Sequence, residues 1–285
     1  MIPNSFAYTK ASSVGEAIKY LESGEDVKIL AGGHSLIPTM KLRLSEPDRL
    51  VDISQLAELR YIREEDGVLA IGAASTHYEI ESSDLVNAKA PLFSQVASLI
   101  GDIQVRNKGT IGGSIAHADP AADWPAALLA ADAVIVVQSS KGSRQIKAAG
   151  FFQGLFATAL AEHEVVTEVR VPVATEGSSA AYAKFVQPAS RFALVGCAVS
   201  LTQSGGTISS ARVALTGVST AAFRAAAVEA ALTGQAATAE NIAAAAAKAT
   251  EGVDSVNSDH FASEDYRRHL ASVYAKRAIT AAAGG

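Results

Sequence analysis

The chain has 285 residues, 49% of them hydrophobic, so it can bury one or two cores without disulfides or metals to staple them. A formal charge of -5, with Lys and Arg dispersed along the chain, provides no basic field for a phosphate backbone, which excludes nucleic acid as a partner class. The opening Met1-Ile-Pro-Asn-Ser-Phe6 has no basic stretch ahead of an apolar run, and no segment offers about eighteen uninterrupted apolar residues; a cytoplasmic protein without a transmembrane segment is expected.

In chain order, Ser13 followed by Glu16 predicts a capping box opening a helix that runs to about Leu21, and Val27 to Ala31 reads as a buried strand before Gly32-Gly33. Tyr61 to Arg63 and Val68 to Ile71 flank Glu64-Glu-Asp-Gly67 as a hairpin, and Thr76 with Glu79 starts another short helix. Val134 to Gln138 and Arg144 to Lys147 read as strands joined through Ser139-Ser-Lys-Gly-Ser143, and a strand from Val165 to Val171 ends at Pro172. Ala174-Thr-Glu-Gly-Ser-Ser179 then reads as a domain boundary. Beyond it, Ala180 to Gln187, Leu194 to Gln203 and Thr207 to Leu215 predict a three-stranded meander with a turn at Ser204-Gly-Gly206. The remainder reads as helical: alanine dominates from Ala221, and Phe223, Val228 and Leu232 form an apolar stripe that packs on the meander. The order is mixed α+β, with no uniform strand-helix repeat.

Cys197, inside the apolar run Leu194-Val-Gly-Cys-Ala-Val-Ser-Leu201, reads as a buried structural thiol. Iron–sulfur clusters take four protein ligands that are mostly cysteine, so a single thiol cannot hold one in this chain. His77, His117, His163, His260 and His269 show no His-x-His or His-x-x-x-His pairing; His117 with Asp119 and Asp123 has ligand-like chemistry, but a supporting loop is the preferred reading. No serine lies within Gly-x-Ser-x-Gly, which removes that nucleophile signature.

Two segments set a glycine pair beside hydrogen-bonding side chains: Ala31-Gly-Gly-His-Ser35 and Thr110-Ile-Gly-Gly-Ser114. Such loops suit a diphosphate, because glycine lets backbone amides approach the oxygens and hydroxyls add donors. A bare glycine pair is weak evidence, and each taken alone reads as a turn rather than a phosphate cradle. No two glycines are spaced Gly-x-Gly and none precedes Lys-Ser or Lys-Thr, so neither the dinucleotide fingerprint nor a P-loop is present.

Ala31-Gly-Gly-His-Ser-Leu-Ile-Pro-Thr-Met-Lys-Leu-Arg-Leu44 and Val105-Arg-Asn-Lys-Gly-Thr-Ile-Gly-Gly-Ser-Ile-Ala-His-Ala-Asp-Pro-Ala-Ala-Asp123 resemble the two FAD loops of medium subunits in the carbon monoxide dehydrogenase and xanthine dehydrogenase (molybdenum hydroxylase) family. The resemblance covers essentially the whole chain, including Pro3-x-x-Phe-x-Tyr8, the Val165 to Pro172 strand and the C-terminal meander with helices. It implies a vanillyl-alcohol oxidase (PCMH)-type FAD-binding domain over residues 1–176, in subdomains of about 1–57 and 58–176. A small C-terminal domain, 177–285, with a three-stranded antiparallel sheet and helices, follows.

On that resemblance, Gly32, Gly33, His34 and Ser35 wrap one side of the FAD diphosphate, while Thr110, Gly112, Gly113 and Ser114 approach the flavin and ribityl chain. It also places Ala31, Leu36, Ile100, Ile111 and Val165 among the cofactor contacts. Asp123 matches an acidic position that binds the ribityl and diphosphate region, its other reading being a helix N-cap before Trp124. Lys184 aligns with a lysine near the flavin pyrimidine, where a cation stabilises reduced flavin; a solvated strand lysine is the alternative. Where many members carry an acid before an aromatic, this chain reads Ser190-Arg191-Phe192: Phe192 would shield the flavin face, and Arg191 would raise the flavin potential.

His34 lies in a loop that, in the wider superfamily, sometimes attaches FAD covalently; the closer resemblance implies non-covalent FAD. Molybdenum cofactor and 2Fe–2S clusters would sit only in a large and a small partner subunit, within a dimer of heterotrimers. The implied role is electron transfer through FAD to an external acceptor, with no catalytic side chain or metal in this chain. The competing readings are a self-contained flavin oxidoreductase of the vanillyl-alcohol oxidase superfamily, and a scaffold with a lost flavin site. Substrate and acceptor stay open.

Overall fold

The computed structural model describes residues 1–284. It contains three main sheets and a two-stranded one, and each main sheet covers a distinct hydrophobic cluster. The first is parallel, ordered β1-β3-β2, from β1 (Ala7–Lys10), β2 (Val27–Leu30) and β3 (Arg49–Asp52). Parallel neighbours need crossovers, here supplied by helices Val14–Leu21 and Leu36–Lys41. Ser13 caps the first helix through Glu16 N at 3.1 Å, but the Glu16 carboxylate reaches back to Ser12 N rather than Ser13 N, so the predicted box is displaced by one residue.

The second sheet is antiparallel, ordered β4-β5-β10-β6-β7, from β4 (Ile62–Glu65), β5 (Val68–Gly72), β6 (Val134–Ser139), β7 (Gly142–Lys147) and β10 (Val165–Pro172). Between the last two lies a short hairpin, β8 (Phe152–Gly154) with β9 (Ala157–Thr158). Both predicted long hairpin connections tighten to two residues. Glu64 and Glu65 belong to β4 because Asp66 and Gly67 both adopt positive φ, 49° and 75°, the turn that matches strand twist. One face of this sheet packs on helices carrying the fully buried Phe93, Ile111, Ile115, Trp124 and Leu128.

The third sheet holds β11 (Ser178–Val186), β12 (Ala193–Ser204), β13 (Thr207–Thr216) and β14 (Phe223–Arg224). The predicted three-stranded meander is therefore four-stranded. Phe223, expected on a helical stripe, pairs with Leu215 in β14, and the helix begins only at Ala226. Nor is the remainder uniformly helical, since no regular element lies between helices Ala239–Ala246 and Glu264–Ala282.

Period-two alternation divides this sheet between two cores. Cys197, Val199, Val213 and Leu215 face the C-terminal helices, whereas Ala198 and Ala214 join the cluster around Trp124. Their small side chains let the sheet approach helix Trp124–Ala130 closely. Burial pushes the Cys197 thiol up and leaves it un-ionised, as expected of a structural cysteine. Among the described residues no helix is long and apolar enough to cross a membrane.

Candidate functional site: a junction of two glycine loops

The first glycine loop leaves the carboxyl end of β2, where ligands of open parallel sheets bind. Gly33 turns the chain at φ 72°, and Ser35 O accepts from Thr39 N and Oγ1 at 3.1 and 2.8 Å. His34 Nδ1 lies 3.0 Å from Gly32 O and must donate to it, since a carbonyl only accepts. Among the described residues none accepts from the N–H groups of Gly32, Gly33, His34, Ser35 or Leu36. A run of five consecutive amides without a protein acceptor has the donors an anion cradle needs.

The second loop is built differently. Asp102 caps the short helix Ile103–Arg106 by accepting from Gln104 N and Val105 N, both at 2.9 Å, and Gly109 N closes the turn on Val105 O at 2.7 Å. Helix Ile111–His117 follows. Its first amides are already committed: Ile111 N donates to Ser75 O, Gly112 N to Ala73 O, Gly113 N to Thr110 Oγ1 and Ser114 N to Thr110 O. A Cβ on Gly112 would lie 2.5 Å from Ala73 Cβ, so that glycine seats the helix on the end of β5. Amide donation was expected from both loops, but it comes from the first; the second offers bare glycine surface at the exposed Gly113 and the Ser114 hydroxyl.

The two loops abut. A Cβ on Gly32 would meet Lys108 O at 2.2 Å and Gly109 Cα at 2.8 Å, and one on Gly113 would come within 3.8 Å of Ala31 Cβ. Residues about eighty positions apart in sequence thus form one surface, with half-buried Leu36 beside it.

A buried polar cluster lies across from the helix start. Asp123 occupies the N-cap position before Trp124 yet makes no side-chain cap bond. Its carboxylate instead accepts from Tyr182 Oη at 2.5 Å and Lys184 Nζ at 2.8 Å. The Lys184 side chain is 1% exposed and also donates to Leu99 O at 3.0 Å, which overturns the solvated-strand reading. Burial raises the Asp123 carboxyl pKa against the opposing pull of Lys184 and Tyr182, and burial with the neighbouring carboxylate raises the Tyr182 phenol. From below, Thr216 Oγ1 lies 2.7 Å from both Pro120 O and Ala122 O and shares one proton between them. Gly217 N adds a bond to Pro120 O, and Ala193 N one to Ala121 O. The third sheet therefore fixes segment 120–123.

Tyr182, Thr216, Gly109 and His77 were not among the residues singled out. Tyr182 carried a signal, because a residue two positions before Lys184 on a strand shares its face. Thr216 carried none.

The β11–β12 connection brings Arg191 to segment 99–101. Arg191 sits at φ 61° and donates from Nε to Gly101 O at 2.8 Å, while Ile100 O accepts from Arg106 Nη1 at 3.3 Å. Phe192 is 39% exposed. Val165 is not brought to this surface: it is buried with Val14, Val51, Leu59 and Ala74 in the cluster of the first sheet. His117 stacks near Phe156, with ring centroids 5.0 Å apart.

Five unpaired amides beside a second glycine surface, on an α+β frame, give this junction the chemistry of an anion-binding cradle. Comparison with known proteins makes this specific. The model of the FAD binding domain in molybdopterin dehydrogenase matches residues 4–174, and that of the CO dehydrogenase flavoprotein C-terminal domain matches residues 180–282. The carbon monoxide dehydrogenase medium chain of Hydrogenophaga pseudoflava is 44% identical over 286 residues, covering 99% of this chain and 98% of that one. The glyceraldehyde dehydrogenase medium chain of Sulfolobus acidocaldarius is 39% identical, covering 98% of this chain and 99% of that one. The solved carbon monoxide dehydrogenase from Hydrogenophaga pseudoflava lacking the Mo-pyranopterin moiety superimposes with a TM-score of 0.95 at 46% identity, covering 99% of this chain and 98% of that chain. The chain belongs to this family of FAD-binding molybdopterin dehydrogenase flavoproteins and is a medium-chain oxidoreductase subunit.

Proposed function

We propose that this chain is the electron-transfer subunit of a molybdenum hydroxylase, taking electrons from the iron–sulfur clusters of a small subunit and passing them to an external acceptor. A large subunit would hold the molybdenum cofactor and select the substrate, in a dimer of heterotrimers. The observation that carries this reading is the run of unpaired amides from Gly32 to Leu36 seated against Gly109 and Gly113. Bound FAD supplies the redox chemistry, accepting and releasing electrons.

The protein's own groups bind and orient. The first-loop amides and the Ser35 hydroxyl would donate hydrogen bonds to the diphosphate, and Gly113 with Ser114 would admit the ribityl chain closely. Lys184, fixed by Asp123 and Leu99 O, would lend its positive charge to the flavin's pyrimidine end. Arg191, bonded to Gly101 O, and the exposed Phe192 would tune and cover the flavin with a cation and an aromatic face. His34 Nδ1 donates to its own loop, in keeping with non-covalent FAD. Relatives named for carbon monoxide and for glyceraldehyde both match this chain over nearly its whole length, which supports a substrate chosen in another subunit.

The test is a visible spectrum of the purified chain with FAD, followed by acid precipitation. A flavin spectrum whose colour leaves the pellet, with diaphorase activity but no oxidation of carbon monoxide, purine or aldehyde, supports the proposal. Failure to take up FAD, or substrate oxidation by the chain alone, overturns it.

A further inference from the structure

We propose that His77 is a positioning residue for the nucleotide cradle, acting through Gly109 to set the depth at which the two glycine loops meet. This rests on the flavin reading above and assigns a task to a buried imidazole that no part of that reading uses.

His77 opens the helix His77–Glu81, and its own N–H donates to Gly109 O at 2.9 Å. The ring then passes beneath the same residue. A Cβ on Gly109 would fall 2.7 Å from His77 Nε2 and 2.9 Å from Cδ2. A Cβ on Gly32 would in turn strike Lys108 O at 2.2 Å and Gly109 Cα at 2.8 Å. Imidazole, Gly109 and Gly32 are thus linked by two successive close approaches, neither with room for a side chain. The thickness of the imidazole edge fixes where Gly109 lies, and Gly109 fixes where the amide cradle begins.

The ring is held in one state. Trp124 Nε1 donates to His77 Nδ1 at 3.2 Å, and an indole nitrogen can only donate. Nδ1 is therefore the acceptor, and the neutral ring carries its proton on Nε2, the edge under Gly109. Burial, reinforced by the charges of His34 and Arg106, pushes the His77 pKa down to about 3, so the ring stays uncharged at neutral pH. An imidazolium there would lose the Trp124 bond and repel the neighbouring His34 loop. Trp124 follows Asp123 directly, so one dipeptide seats the loop junction through His77 and the third sheet through Tyr182 and Lys184.

Gly109 lies outside the left-handed region, so alanine there is obstructed only by the imidazole and its surroundings. That permits a test by coupling. FAD dissociation constants are measured by flavin fluorescence for the full chain, Gly109→Ala, His77→Ala and the double variant, with circular dichroism confirming the fold of each. The expectation is that Gly109→Ala weakens FAD roughly tenfold or more, that His77→Ala weakens it several-fold, and that the double variant binds better than Gly109→Ala alone. Losses that simply multiply, or single variants that bind like the parent, overturn the role of His77. A parent chain that binds no FAD overturns the flavin reading instead.

A second measurement needs no variant. In histidine-labelled parent protein, nitrogen NMR is expected to show His77 with an unprotonated Nδ1 and a protonated Nε2 from pH 5 to 8, and FAD is expected to shift the Nε2 signal. An Nδ1–H tautomer, or an Nε2 signal that FAD leaves unmoved, rejects the inference.

Discussion

Lys184 and Asp123 form an ion pair of 2.8 Å with side chains 1% and 5% exposed, and it ties the third sheet to the start of helix Trp124–Ala130. A buried pair of this kind is costly to break from one side, because the remaining charge has neither water nor partner. Lys184→Met is expected to lower unfolding stability by about 3 to 5 kcal/mol in urea titration, and the double variant Asp123→Asn, Lys184→Met by clearly less. A double variant no more stable than Lys184→Met alone would argue against the pairing.

Thr216 supports the same segment from below without contacting the candidate FAD surface. Thr216→Val keeps shape but takes the hydroxyl donor from Ala122 O and leaves Pro120 O with the Gly217 amide alone, at an expected cost of about 1 to 3 kcal/mol. Because segment 120–123 carries Asp123, FAD affinity should fall as well. Calorimetric unfolding and flavin titration on the same preparation check both; unchanged FAD affinity would separate the C-terminal sheet from the site.

The contact between the loops is steric and specific to one position. Gly32→Ala drives a methyl into Lys108 O, a backbone atom that cannot swing aside, so purified protein is expected to carry at least about tenfold less flavin and to lose roughly 3 kcal/mol of stability. Gly150→Ala is the control. It lies in helix Ala148–Phe151 with nothing within 4 Å of the new methyl, and should be neutral or stabilising by about 0.5 to 1 kcal/mol. Full flavin occupancy in Gly32→Ala would refute the junction.

His77 makes stability depend on pH. Its pKa falls from 6.5 in the unfolded chain to about 3 in the fold, so between those values the unfolded state binds a proton that the native state does not. Stability therefore declines as pH drops through 6.5 and continues to decline toward 3. From pH 7.5 to pH 5 this residue alone should remove about 2 kcal/mol. His77→Asn keeps an acceptor for Trp124 without a titrating ring, and urea titrations at both pH values should show that much less acid sensitivity in the variant.

The elements most legible in the sequence were those governed by local rules. Thr76 and Glu79 form the reciprocal capping box that their spacing predicts, with Thr76 Oγ1 accepting from Glu79 N at 3.2 Å and Glu79 accepting from Thr76 N at 2.8 Å. Gly205 and Gly206 both take positive φ in the turn between β12 and β13. Strand β14 was illegible because two residues, Phe223 and Arg224, have no period of their own and are recruited by the free edge of β13. The displaced cap at Ser12 and the shortened hairpin turns are shifts of one or two residues of the kind that element ends always allow.

The glycine loops, the lone buried thiol and the alternation of β12 were written in the order of residues, because backbone freedom, ligand count and two-residue periodicity act over a few positions. What joins them was not. That Gly32 rests on Gly109, that Asp123 answers to Tyr182 and Lys184 rather than to its own helix, and that His77 lies under the junction all depend on chain segments dozens of residues apart meeting in one buried volume. Steric exclusion and desolvation arise only between groups already packed together, so the three-dimensional fold alone decides which glycine must be bare and which charge must be paired.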